Sequence, residues 1–162
     1  MNFDCRFTKG NNWFRYRAAA IIVEEGYVLL AGNANVDYFY SVGGAVHMNE
    51  TAENAVIREV YEVTGIYYEV ERLAVIHENF FKGDGKSIES LDCHEIAFYF
   101  LMKPKGSRIL NSNSYTMGVK EDMHWVKISK LDQYKSFPTF LKDYLINLPN
   151  NLIHIVTHES EI

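Results

Sequence analysis

The sequence contains little of what defines several large classes of protein. Its 162 residues include only two cysteines and three prolines, and lysine and arginine never form a run. Two cysteines cannot build the disulfide framework of a small secreted domain, so we expect Cys5 and Cys93 to be free thiols in a reducing compartment. The missing basic run and the net charge of −5 argue against a nucleic-acid-binding surface.

Long apolar stretches are also missing. No segment approaches the ~20 consecutive apolar residues that a membrane-spanning helix requires, and the N-terminus lacks the apolar core of a secretory signal peptide. We therefore expect a cytoplasmic protein with no membrane partner. Hydrophobic residues still make up 48% of the chain and charged residues 23%, which is ordinary for a globular protein. The length suits one domain over residues 1–162 with one substantial core.

One stretch, residues 43–66, carries the clearest local signals. Two glycines open it, Thr51 followed by Asn54 is typical of a helix N-cap, and Gly65 stands where a glycine commonly ends a helix. These signals predict a helix over about residues 51–64. Small and branched apolar residues recur at helical spacing and form its predicted buried stripe: Ala52, Ala55, Val56, Val60 and Val63.

Glu59 falls inside that apolar stripe, and Glu62 lies one step to its side. A carboxylate that faces a core is costly unless a cation or a hydrogen-bond donor meets it. An ion pair with Arg58, or a rotation of the helix towards solvent, would meet this requirement without any function. The glycine pair offers a second explanation, because a backbone without side chains can approach a ligand closely. A carbonyl there and two glutamates would form an all-oxygen site suited to Mg²⁺.

The same residues resemble the signature of a known family, the Nudix hydrolases. Their box reads Gly-x5-Glu-x7-Arg-Glu-U-x-Glu-Glu-x-Gly-U, where U is an aliphatic residue. The matching positions are Gly44, Glu50, Arg58, Glu59, Val60, Glu62, Gly65 and Ile66. Val63 departs from the box, since it stands where the family has the second glutamate of the Glu-Glu pair. Asn49 replaces a common glycine, and asparagine tolerates a left-handed backbone better than most residues.

The valine has two explanations. It lies four residues after Glu59 and therefore shares a helix face with it, where it would restrict the site to fewer or weaker metals. It also lies on the apolar stripe, which suits packing against the sheet. We expect the first explanation to hold, in which case Val63→Glu tightens metal binding.

The resemblance implies an α/β fold of Nudix type, an α/β/α sandwich with a mixed β-sheet. It also implies a hydrolase that depends on Mg²⁺, with Mn²⁺ as a substitute, and that cleaves a pyrophosphate bond in a nucleoside diphosphate derivative. By position, Gly44, Glu59 and Glu62 would be metal ligands, and Glu59 would also be a candidate base. Arg58, together with Glu50, would hold the carboxylates in place. A homodimer is left open.

Many members of the family add an acidic residue from a later loop or strand. Glu121 and Asp122, ahead of Trp125, are candidates, and we include Glu121 among the catalytic residues. Glu95 is the third candidate and a metal ligand in this prediction, because it is a charge beside His94 in an otherwise apolar strand. The alternatives without a function are a solvated loop residue for Glu121 and an outward-facing strand residue for Glu95.

The remaining histidines and aromatic residues carry weaker signals. The histidines do not combine with cysteine at the spacing of a zinc site, and we treat three of them as ordinary strand residues: His77, His94 and His124. Six aromatic residues could stack a nucleobase, although most aromatic side chains belong to cores: Tyr38, Phe39, Tyr40, Phe80, Phe81 and Tyr115.

The segments around the box predict the sheet. Apolar and aromatic runs indicate strands over residues 14–23, 27–31, 38–42, 67–81, 94–102 and 124–128. The first two are expected to pair as a hairpin through residues 24–26. Residues 105–121 form a long loop, residues 140–148 a second helix, and the residues after Pro149 suit a further strand.

Two rival functions follow from the same residues. Val63 motivates a catalytically weak or inactive Nudix-fold module that binds a nucleotide or a partner. A phosphatase that acts on a phosphate other than a nucleotide is a further alternative. Arg58, Glu59 and Glu62 together favour the enzyme, because a binding module needs no base. No subfamily signature of the Nudix hydrolases identifies the substrate.

Overall fold

The computed structural model describes residues 2–85, 87–110, 115–116 and 119–159. The first half contains β1 (Arg6–Lys9), β2 (Asn12–Ile21), β3 (Val23–Glu24), β4 (Tyr27–Asn33), β5 (Phe39–Ala45) and α1 (Ala52–Thr64). The second half contains β6 (Val70–Lys82), β7 (Asp92–Met102), β8 (Tyr115–Thr116), β9 (Val119–Lys127), a 3₁₀ helix (Ile128–Gln133), β10 (Ser136–Phe137), α2 (Leu141–Asn147) and β11 (Ile153–Glu159). No helix within these ranges is long and apolar enough to cross a membrane.

The strands form one mixed sheet in the order β11-β6-β7-β2-β5-β4-β9-β8. β2 lies at its centre, parallel to β7 and antiparallel to β5. β11 adds a second parallel pair along β6. β2 is correspondingly almost continuously apolar from residue 18 onwards, as expected of a strand buried on both faces.

A helix covers each face of the sheet. On one face, the buried side of α1 packs against even-numbered residues of β2 and β7, among them Ala18, Ala20 and Phe100. On the other face, α2 packs against odd-numbered residues such as Ala19 and Tyr99. The two faces are called here the α1 face and the α2 face. This arrangement confirms the predicted α/β/α sandwich with a mixed sheet.

The predicted hairpin is shorter than expected. Its turn is present, with Glu25 and Gly26 both at positive φ (51° and 82°), the combination that tight hairpins favour. Only the two residues of β3 pair with β4 in a register of named strands. The long strand before the turn instead pairs with β7 and β5, because a central strand buries more of its apolar side chains than a hairpin edge would.

β5 brings the chain to the glycine pair and then to α1. It pairs with β2 on one side and with β4 on the other. Gly43 and Gly44 lie opposite Ala19 and Ala18, near the middle of the sheet. The six residues between β5 and α1 therefore place the helix directly over the strand that carries the glycines.

Candidate functional site

Both ends of α1 are fixed by the residues that predicted them. The Thr51 side chain accepts a hydrogen bond from the Asn54 backbone N–H at 3.1 Å. At the other end, Gly65 adopts a left-handed conformation (φ 71°) and donates to the Tyr61 carbonyl. Asn49 has φ 67°, so asparagine does occupy the left-handed position in the loop before the helix. The orientation of α1 is thus set locally, and with it the direction of its glutamates.

Arg58 is the centre of a carboxylate cluster. Its guanidinium donates to both oxygens of Glu50, each at 2.9 Å, and to Oε1 of Glu59 at 2.9 Å. A longer contact of 3.4 Å joins it to Glu62, and Nη2 donates to the Ala45 carbonyl at 3.2 Å. The fork-shaped pairing with Glu50 is the geometry in which arginine binds a carboxylate most strongly. Four acidic or carbonyl groups are therefore held by one cation.

Glu59 lies directly against Gly44. A Cβ built at position 44 would be 2.4 Å from Oε1 of Glu59 and 2.5 Å from its carboxyl carbon. Any other residue would displace the carboxylate, so glycine is required here by a close approach. The backbone of β5 and the Glu59 carboxylate consequently form one compact oxygen-lined surface.

The pKa values of Glu59 and Glu50 shift in opposite directions. Desolvation raises the pKa of Glu59 above the ordinary value of a glutamate, although the hydrogen bond and charge of Arg58 oppose the rise. Glu50 shifts the other way, because the hydrogen bonds from Arg58 lower its pKa more than burial raises it. Glu59 is therefore a stronger base than Glu50, although the same arginine contacts both.

The oxygen donors at this surface suit a hard divalent cation. Glu59, the more exposed Glu62 and the Gly44 backbone supply them, and the close approach at Gly44 leaves no side chain in the way. In the part of the chain that the structure describes, no three His, Cys, Asp or Glu side chains group as a preformed metal site. Waters and substrate oxygens would complete such a shell, as is common for Mg²⁺.

Val63 belongs to the core, contrary to our expectation that it faces the metals. It is 6% exposed and packs in the same cluster as Val56 and Val60. Glu59 lies at the edge of the same stripe and reaches β5, whereas Val63 points down onto the sheet. The departure from the Nudix box at this position is explained by packing.

A second polar group lies on the same face of the sheet as α1. Oε2 of Glu121, on β9, accepts a hydrogen bond from the Tyr40 hydroxyl at 2.6 Å. Asn33, on β4, donates to the same hydroxyl at 3.2 Å. Tyr40 precedes Gly44 by four residues on β5, so the two share a face about 13 Å apart along the strand. Glu121 and α1 thus lie on the same face of the sheet.

Glu95 does not lie with the other predicted ligands. It is an odd-numbered residue of β7, on the α2 face, and it is only 6% exposed. Its carboxylate pairs with Arg15 at 2.6 Å, and the charges of Arg15 and Arg17 lower its pKa despite its burial. The sheet separates Glu95 from Glu59, so Glu95 cannot join the α1 carboxylates in one metal shell. The sequence does not show which face of the sheet α1 covers. Strand alternation alone therefore could not show whether Glu95 lies on the same face as the α1 carboxylates.

The predicted aromatic and histidine residues are mostly engaged in packing. Phe39 contacts the rings of His124 and Tyr134, and Phe80 is stacked between His94 and His158. His77 forms a hydrogen bond with Thr157, Tyr38 donates one to Asp84, and the rings of Phe81 and Trp13 meet edge to face. The side chain of Tyr115 lies outside the described residues. Tyr40 is the member of this set that lies beside an acidic candidate.

Arg17 makes buried contacts that no sequence pattern indicated. Its side chain is 7% exposed and reaches Ser41, two residues before the glycine pair. The alternation of aromatic and arginine residues in positions 14–17 placed the two arginines on one face. It did not indicate that this face would be buried.

Comparison with known proteins gives a consistent result. A family model described as NUDIX domain matches residues 13–148. A MutT-like protein from Streptomyces ambofaciens is 32% identical over 89 residues, which make up 55% of this chain and 51% of that protein. The match therefore spans about half the length of that relative.

Solved structures share the fold. A MutT protein from Bacillus halodurans has a TM-score of 0.68 and 18% identity, with 90% of each chain covered. An ADP-ribose pyrophosphatase from Streptococcus suis has a TM-score of 0.55 and 12% identity, covering 88% of this chain and 98% of that one. At these identities the likeness concerns the fold alone.

Proposed function

The chain belongs to the Nudix hydrolase family, and we propose that it is a divalent-metal-dependent enzyme that cleaves a pyrophosphate bond in a nucleoside diphosphate derivative. The observation that carries the proposal is the seating of Glu59 against Gly44, with Arg58 holding it. A half-buried carboxylate of raised pKa that is bound to an arginine and borders an oxygen-lined surface is suited to remove a proton from water.

The oxygen donors of this surface fit Mg²⁺, with Mn²⁺ as a substitute. Glu59, Glu62 and the Gly44 carbonyl would hold the ion. When bound, it would neutralise the diphosphate oxygens and make a coordinated water more acidic. The protein's own contribution is to orient the carboxylates through Arg58 and to keep Glu59 close to β5.

Each side chain of the cluster has a distinct task in this proposal. Glu59 accepts the proton of the attacking water. Arg58 restrains Glu59 and Glu62 and is itself fixed by the two-pronged pairing with Glu50. Glu50 stays ionised at a lower pH than an ordinary glutamate, because the hydrogen bonds from Arg58 lower its pKa. It therefore holds the guanidinium in place as an anion.

Glu121 is the further acidic residue that we assign to the site. It lies on the α1 face and is held by the Tyr40 hydroxyl. Because Tyr40 lies about 13 Å from Gly44 along β5, Glu121 is placed to contact a part of the substrate other than the diphosphate. The Tyr40 ring offers an aromatic surface to a nucleobase. Similarity to an ADP-ribose pyrophosphatase in fold is compatible with a nucleotide derivative and does not select one.

A substrate screen tests the proposal. The purified protein is incubated with nucleoside triphosphates, nucleotide sugars, ADP-ribose and dinucleoside polyphosphates, each with Mg²⁺ or Mn²⁺ and with EDTA as the control. We expect metal-dependent release of a mononucleotide, phosphate or pyrophosphate from at least one compound, detected by ³¹P NMR. Hydrolysis that persists in EDTA would contradict the metal requirement.

The rival proposal, a binding module without turnover, makes a different prediction. Such a module would be stabilised against thermal unfolding by a bound nucleotide, yet it would release no product with either metal. Val63 no longer favours this rival, because packing accounts for the valine. A cytoplasmic location, a homodimer and a phosphate substrate other than a nucleotide stay predictions.

A further inference from the structure

Arg17 lies on the α2 face of β2, directly behind the glycine pair. In the β2–β5 ladder, Arg17 is opposite Ala45 and the next residue, Ala18, is opposite Gly44. Glu59 approaches Gly44 from the α1 face, whereas the Arg17 side chain runs along the α2 face. The catalytic segment of β5 thus lies between a glutamate on one side and a buried arginine on the other.

The guanidinium of Arg17 binds β5 through its backbone. Nη2 donates to the Ser41 carbonyl at 2.7 Å, and Nη1 donates to Ser41 Oγ at 3.0 Å and to the Tyr99 hydroxyl at 3.2 Å. The Ser41 and Tyr99 hydroxyls lie 3.2 Å apart and complete the triangle. These bonds join β2, β5 and β7 at one point, two residues before Gly43.

A buried arginine is costly, and in the part of the chain that the structure describes no carboxylate forms a direct ion pair with Arg17. Among the described residues the ion pair on this face joins Glu95 to Arg15, and Arg17 has hydroxyl and carbonyl partners instead. Uncharged side chains could fill the same space without the cost of burying a cation. The bonds to Ser41 and Tyr99, together with the nearby charge of Glu95, compensate for the burial of this cation.

The glycine segment leaves no room for a side chain on either residue. A Cβ at Gly43 would lie 2.3 Å from the Ala18 carbonyl oxygen, and one at Gly44 would lie 2.4 Å from Glu59. β5 is therefore packed closely between β2 and the carboxylate. A small shift of Ser41 would be carried into the contact between Gly44 and Glu59, because only Val42 and Gly43 separate Ser41 from Gly44.

We propose that Arg17 is a positioning residue of the metal site, which fixes the Gly43–Gly44 segment from the opposite face of the sheet by holding the Ser41 backbone. The inference rests on the proposed function, since it assigns Gly44 and Glu59 to the metal. Arg17 touches neither metal nor substrate in this role. It acts through Ser41 and the strand.

Mn²⁺ binding measures this role without relying on turnover. Arg17→Met removes all three bonds, and Arg17→Lys keeps the charge but cannot reproduce the fork. We expect Arg17→Met to weaken Mn²⁺ binding about 10-fold, the lower end of what residues supporting metal ligands contribute, with Arg17→Lys in between. Free Mn²⁺ is followed by EPR, and the exchange rates of the Gly43 and Gly44 amides by NMR.

A control of similar instability separates positioning from general loss of structure. Leu141→Ala opens a cavity in the core on the same face without touching Ser41, and should lower the melting temperature. It should leave Mn²⁺ affinity and the two glycine amides unchanged, whereas Arg17→Met should speed amide exchange at both. Should Arg17→Met fail to fold, Ser41→Ala and Tyr99→Phe each remove one partner and should weaken Mn²⁺ binding to a smaller extent.

Three results would overturn the inference: wild-type Mn²⁺ affinity in folded Arg17→Met, an equal loss in Leu141→Ala, or tighter binding in Arg17→Met. The last would mean that Arg17 acts only by repelling the metal through the sheet. Failure of the proposed function gives a different pattern, in which the wild-type protein binds Mn²⁺ but hydrolyses nothing. Absence of Mn²⁺ binding by the wild-type protein would refute both.

Discussion

Introducing the missing glutamate of the Nudix box, Val63→Glu, should damage this protein. Val63 is 6% exposed and packs with Val56 and Val60 beneath α1. Removing its apolar burial costs about 1.5–3 kcal/mol, and burying a polar group without a partner costs roughly 2–7 kcal/mol. The sum begins at about 3.5 kcal/mol, a large part of the roughly 5–15 kcal/mol that stabilises a typical domain.

Urea unfolding of three variants separates the contributions. Val63→Ala removes apolar contacts and leaves a cavity but adds no charge, and should lose roughly 1.5–2.5 kcal/mol. Tyr61→Glu adds the same charge on the exposed side of α1, where Tyr61 stacks on Tyr67, and should lose only about 1 kcal/mol. Val63→Glu should lose the most and gain no Mn²⁺ affinity.

The pH dependence provides an independent check on Val63→Glu. Burial would raise the pKa of the new carboxyl above its unfolded value of about 4.3. The charged form is the destabilised one, so the deficit relative to Val63→Ala is complete well above that raised pKa and shrinks as the pH falls through it. Unchanged stability combined with tighter Mn²⁺ binding would refute this placement of Val63 and restore the view that it faces the metals.

Four further substitutions test the glycine contact and the other acidic residues. Gly44→Ala should lower kcat about 100-fold while the fold is kept, because the added methyl displaces Glu59; normal kinetics would exclude that contact. Glu50→Gln should cost about 2 kcal/mol at pH 7, and since the folded pKa of Glu50 is lowered, the difference should vanish as acid protonates it; a difference independent of pH would contradict this. Glu121→Gln should raise KM for the substrate and leave the Mg²⁺ requirement unchanged, whereas Glu95→Gln should reduce stability alone, and the reverse pattern would exchange their roles.

The local features of the site could be predicted because each depends on a few adjacent residues. Thr51 and Gly65 specify the ends of α1 through capping bonds that need no tertiary context. Asn49 occupies a left-handed position that few residues other than glycine accept. Arg58 lies four residues before Glu62, so helix geometry alone brings these two side chains within reach.

Features that depend on which face of the sheet is covered could not be predicted. Glu95 and Glu121 were equivalent in the sequence, yet one is buried behind the sheet and the other lies with α1. The position of Val63 fitted both explanations, a helix face shared with Glu59 and the apolar stripe. Only the packing in the structure shows that Val63 belongs to the core. Arg17 is the clearest case, because its partner Ser41 is 24 residues away on a strand whose pairing the sequence did not specify.

The central claim is that Glu59, seated against Gly44 and held by Arg58, is the base of a metal-dependent hydrolysis. The most direct measurement is kcat of Glu59→Gln on the best substrate from the screen, at saturating Mg²⁺, beside its melting temperature. Removing a general base should lower kcat by about 10²–10⁴-fold. The fold should be at least as stable at neutral pH, because burial opposes the Glu59 charge. Wild-type kcat in the folded variant would contradict the account.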